Sequence, residues 1–117
     1  MTTAQITLTV VLALIFLPLG GAKIAAVPFM RHAAAHLGMS PGLYRFVGTL
    51  EVAGAVGLML GLASAPLGVV AAIGLTLLMT LAAVVHLRHG DPPVRALPAA
   101  ALALTAVAYA AVAVGTG

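Results

Sequence analysis

Lys23, Glu51 and His86 are the side chains of this sequence best suited to exchange protons or orient a polar head group within apolar surroundings. Glu51 is the most constrained of them. It stands inside Gly48-Thr49-Leu50-Glu51-Val52-Ala53-Gly54-Ala55-Val56-Gly57-Leu58-Met59-Leu60-Gly61, an apolar, glycine-rich run that would cross a membrane. A carboxylate in hydrocarbon is unfavourable by about 3 kcal/mol even on lenient insertion scales, so it persists only when turned toward a partner or a wet cavity. On a helix, Gly54, Gly57 and Gly61 fall within about 60° of one another, a smooth stripe for a neighbouring helix, with Glu51 on its border. The acid is therefore expected to point into a bundle, either to serve a site or only to tie helices together. Lys23 either snorkels to the head groups or reaches inward to Glu51. His86, within a turn of the membrane surface, is either an interface residue or a ligand contact.

The remaining polar groups are weaker candidates. Thr105 and Tyr109 place two hydroxyls on one stripe of an Ala, Leu and Val helix, where they line the bundle or satisfy each other. His32 and His36 are spaced i, i+4, which suits two imidazoles sharing a metal, but no acid or cysteine nearby completes a site, so no metal is expected. His86 and His89 lie three apart, and no second span offers an opposing histidine for bis-imidazole haem. The sequence has no cysteine, which excludes thiolate metal sites and a dithiol relay within it.

Positioning these groups falls to helices in lipid. Of 117 residues, 63% are hydrophobic and 6% charged, against about a quarter charged in soluble domains. The net charge of +3 comes from five Lys and Arg near predicted loops, a topological signal that does not point to nucleic acid. The apolar runs predict an all-α fold, a single membrane domain over residues 1–117. It is a four-helix transmembrane bundle with spans at about 6–27, 42–62, 67–86 and 96–114, joined by a short interfacial helix at about 29–37. In that short helix Phe29, Ala33 and Leu37 recur at four-residue spacing, with Met30 and Ala34 beside them. The first run lacks a basic segment before it, which argues for an uncleaved span over a signal peptide. Pro28 is expected to end the first helix. Ser40-Pro41 makes an N-cap followed by a first-turn proline, and Pro98 is expected in the first turn of the last span. Glu51 then lies about 13 Å into its helix.

The spans also set sidedness. Arg31, with Lys23 and Arg45 at its borders, marks one loop and Arg88 with Arg95 another, whereas the connection after the second span has no Lys or Arg. Both basic loops are expected to be cytoplasmic at the plasma (inner) membrane, with both termini outside. Lys23, Glu51 and His86 then converge on one leaflet.

Several short stretches resemble a known family. Gly21-Ala22-Lys23, His36-Leu37-Gly38-Met39-Ser40-Pro41, Gly48-Thr49-Leu50-Glu51 leading into Gly54, and His86 ahead of Gly90-Asp91-Pro92 are similar to the DoxX-like family of small four-helix membrane proteins, from about Leu12 to Val114. That family is named for similarity to a membrane component of thiosulfate:quinone oxidoreductase, and some members are linked with oxidative-stress or sulfur redox systems. The resemblance implies a polar pocket in the bundle, with Lys23, Glu51 and His86 as the positions carried over.

Three functional classes follow. In the first, the bundle holds the head of a quinone or another isoprenoid or amphipathic lipid as a redox accessory. Lys23 or His86 would donate to a head-group oxygen, Glu51 would accept or relay a proton, and electrons would come from a partner or the bound molecule. In the second, the chain is a non-catalytic assembly subunit whose Gly and Ala faces dock helices of a homo-oligomer or a membrane partner protein. The third, a small transporter, needs a continuous polar path, for which the outer half offers little beyond Thr and Tyr hydroxyls.

Overall fold

Thr2 starts the structure by capping the first helix. Its hydroxyl accepts from the Gln5 N–H while the Gln5 side chain accepts from the Thr2 N–H, a reciprocal box that begins the helix at Thr3, three residues ahead of the expected start. The computed structural model describes residues 2–116. Among them the chain forms five helices and no strand: α1 Thr3–Ile24, α2 Pro28–His36, α3 Pro41–Leu60, α4 Ala65–Arg88 and α5 Pro93–Thr116. All but α2 are long and apolar enough to cross a membrane.

The helix ends differ from expectation where proline and glycine decide them. α1 stops at Ile24 rather than Val27, because Ala26 turns to a φ of 52° and the residue before Pro28 is driven out of the helical region. Ser40 caps α3, its hydroxyl accepting from the Leu43 N–H at 3.1 Å. α4 begins at Ala65, with Pro66 in its first turn, and continues through His86 to Arg88, ahead of Gly90 at a φ of 79°. α5 begins at Pro93, so Pro98 falls in the second turn and offers no N–H to the Val94 carbonyl. In α2 the buried stripe is Met30, Ala34 and Leu37, whereas Phe29 is 76% exposed. Of the expected apolar face, Met30, Ala34 and Leu37 are therefore buried, and Phe29 turns outward.

Packing is strongest between α4 and α5 and between α1 and α3. The core joins Leu12 and Phe16 of α1, Leu58 of α3, Leu75 and Met79 of α4, and the alanines of α5. Leu14, Val70 and Leu104 point outward, each more than 65% exposed in the isolated chain, as expected of side chains that have lipid as their solvent.

Small residues set the helix spacing. A Cβ on Gly20 would lie 2.7 Å from the Gly48 carbonyl oxygen, and one on Gly48 would lie 2.7 Å from the Gly20 oxygen, so α1 and α3 touch backbone to backbone. On the other face of α3, Gly54 receives the Leu75 side chain and Gly57 receives Ala71, while Gly61 meets Gly68 of α4. The Tyr109 ring ends at that last crossing, its hydroxyl 2.2 Å from where a Gly68 Cβ would stand. Among the described residues this buried hydroxyl has no hydrogen-bond partner. Tyr109→Phe is therefore expected to raise stability by about 1 kcal/mol, since an unpaired buried polar group is lost. Unfolding in detergent micelles checks this, and a loss of stability would show that the hydroxyl has a partner.

Candidate functional site

The Gly20–Gly48 contact decides where the charges go. α1 and α3 run in opposite directions, so each charged residue lies beside the other helix's glycine: a Cβ on Gly48 would lie 2.6 Å from Lys23 Cβ, and one on Gly20 would lie 3.2 Å from Glu51 Cβ. The Lys23 ammonium donates to Glu51 Oε1. It also stands 5.1 Å from the centroid of the Tyr44 ring, within cation–π range. Tyr44, Gly48 and Glu51 follow one another at i, i+4, i+7, which keeps ring, crossing point and carboxylate on one face of α3. Glu51 is fully buried and the Lys23 side chain 12% exposed. Glu51 Oε2 has no hydrogen-bond partner.

His86 does not join that pair. Its Nδ1 lies 2.7 Å from Asp91 Oδ2, and His36 Nε2 lies 2.5 Å from Asp91 Oδ1. One carboxylate therefore clasps α2 to the end of α4. The hydrogen bonds from His86 and then His36 hold the Asp91 carboxyl below the usual carboxylate range. A carboxylate only accepts, so the ring nitrogens facing it carry the protons, and His86 Nε2 is left as an acceptor when the ring is neutral. The sign for pH follows from the lowered value: the clasp contributes in full above the ordinary carboxylate value of about 4 and is lost as pH falls through the lower folded value. In an acid titration followed by histidine ring NMR, the His36 and His86 environments are expected to change together below about pH 4. Independent changes would separate the two rings from Asp91.

A cavity of about 720 Å³ lies at this end of the bundle. Its polar lining includes Lys23, Tyr44, Glu51, His36, His86 and Arg95, and its apolar lining includes Leu19, Val47, Leu78, Met79 and Leu102. Phe29, Met30 and Ala33 of α2 line it as well. Thus Lys23, Glu51 and His86 share one cavity, the first two in direct contact and the third held by a separate acid. Among the described residues no cluster of three or more His, Asp or Glu side chains is arranged to hold a metal ion.

Thr105 and Tyr109 belong elsewhere. The Thr105 hydroxyl donates to the Ala101 carbonyl at 2.8 Å, and the Tyr109 hydroxyl ends at the Gly61–Gly68 crossing. They do not satisfy each other, because a threonine hydroxyl on a helix reaches its own preceding turn more readily than a ring one turn away. Two residues of this region, Asp91 and Tyr44, are not among the candidates that residue type and spacing singled out. The chain has only two acidic residues. That scarcity was the available signal for giving Asp91 the same scrutiny as Glu51.

Four apolar spans, a buried ion pair between two of them and a cavity at one end define a small multi-pass integral membrane protein. Residues 7–108 match the model of the DoxX-like family, and the chain belongs to that family. No match was found among curated proteins or among solved structures.

Proposed function

We propose that this protein binds the oxygen-bearing head of an amphipathic molecule, a quinone or another isoprenoid, in the cavity at its basic end, as an accessory to a membrane redox system. The observation that carries the reading is that one cavity is lined by charged and titratable groups, Lys23, Glu51 and His86, together with many apolar side chains. Its volume of about 720 Å³ falls within the general range of about 300–1,000 Å³ for small-molecule sites. Lys23 would donate to a head-group oxygen. Glu51, and His86 oriented by Asp91, would accept protons. A quinone, when bound, supplies two-electron, two-proton redox chemistry, and its electrons would come from a partner. The Lys and Arg residues all lie near this end of the bundle, which supports placing it on the cytoplasmic side of the inner membrane with both termini outside.

The test is mass spectrometry of the protein extracted with its native membrane, scoring retained small molecules and retained proteins. A stoichiometric quinone or isoprenoid is expected with the wild type and absent from Glu51→Gln. A ligand-free protein held in a defined complex would replace this reading with that of an assembly subunit.

A further inference from the structure

The Lys23–Glu51 pair leaves Glu51 Oε2 unpaired among the described residues, and the partly exposed Lys23 ammonium, which also faces the Tyr44 ring, keeps hydrogens to donate. Glu51 Oε1 accepts from the ammonium while Oε2, fully buried, accepts from nothing. The ammonium has three hydrogens, and its one hydrogen bond is to Glu51. Both residues lie in the cavity wall. A group that completes the pair must therefore accept from Lys23 and donate to Glu51. A hydroxyl does both, whereas a carbonyl or an ether oxygen only accepts.

We propose that the cavity selects a hydroxyl-bearing head group, whose oxygen accepts from Lys23 while its O–H donates to Glu51 Oε2. This inference rests on the pocket reading above and narrows it to hydroxyl-bearing heads, such as a quinol or an isoprenoid alcohol, over the quinone form. Glu51 has no exposed surface and Lys23 very little, so the hydroxyl enters by moving the flexible four-carbon arm of Lys23 aside and bridging the two charges. Discrimination comes from the carboxylate: without a donor, Oε2 stays buried and unpaired, and bonds to an ionised acceptor are among the stronger ones.

The experiment compares para-octylphenol with its methyl ether, in equilibrium binding to the protein in lipid nanodiscs with empty nanodiscs subtracted. The two probes share the ring, the chain and an accepting oxygen and differ in the donor. The phenol is expected to bind about tenfold or more tightly than the ether to the wild type. In the double variant Lys23→Met/Glu51→Leu the two affinities are expected to converge to within about twofold. A tenfold gap that persisted there would trace to the size of the ether methyl and overturn the inference. Equal affinities in the wild type would overturn it as well, leaving the pocket reading standing. Binding of neither probe would overturn both.

Discussion

Lys23→Met is expected to lower the unfolding free energy by about 3–5 kcal/mol, the usual consequence of removing one partner from a buried ion pair. Glu51 is fully buried, and Lys23 supplies its one hydrogen bond. The variant leaves a carboxylate among apolar side chains with only the edge of a polar cavity to compensate it. The double variant Lys23→Met/Glu51→Leu is expected to recover most of that loss, because two apolar side chains of similar volume need no partner. Reversible unfolding in mixed micelles, followed by far-ultraviolet circular dichroism, measures all three proteins. A single variant within about 1 kcal/mol of wild type would mean that the pair contributes no more than an exposed one.

Gly48→Ala tests what brings the pair together. The added Cβ would stand 2.6 Å from Lys23 Cβ, 2.7 Å from the Gly20 oxygen and 3.2 Å from the Ile24 nitrogen. Two of those atoms are backbone, so relief requires the helices to part. The expected loss is about 1–3 kcal/mol from overpacking, offset in part by the better helix propensity of alanine. Gly21→Ala is the control: nothing lies within 4 Å of its new Cβ, so stability is expected to hold or rise by up to about 1 kcal/mol. If the two variants unfolded alike, the close contact of α1 and α3 would not be limiting. A smaller effect of Lys23→Met in the Gly48→Ala background would show that the crossing and the ion pair are coupled.

Much of the fold could be read from the residues themselves. Apolar runs interrupted at Pro28, Gly38, Pro66 and Gly90 mark the spans and their connections, and Ser40 followed by Pro41 marks the start of α3. Glu51 is expected to face a partner because a charge within an apolar helix has few stable environments. What could not be read was which helix faces which. Helical spacing places Lys23, Glu51 and His86 at similar depth, but only the Gly20–Gly48 contact puts α1 rather than α4 against Glu51. Glu51 was correspondingly assigned to the border of the Gly54–Gly57–Gly61 stripe, whereas that stripe packs on α4 and the acid faces α1. Asp91 was hidden by its context. Between Gly90 and Pro92 it has the composition of a turn, and its grip on His36, 55 residues away in the chain, depends on how α2 folds back.

The commitment of both acids to buried positions has a consequence for the outside of the molecule. Glu51 and Asp91 are the entire acidic side-chain inventory, and they are 0% and 8% exposed. Arg31, Arg45, Arg88 and Arg95 are all exposed around the same end. Among the described residues the protein thus presents at this end a collar of guanidinium groups with no exposed acidic side chain beside them. Such a collar attracts the phosphates of anionic lipids, each guanidinium contributing about 1 kcal/mol near a charged leaflet. If the amphipathic ligand proposed above reaches the cavity from the bilayer, it would approach past these guanidinium groups and the acidic lipids they favour.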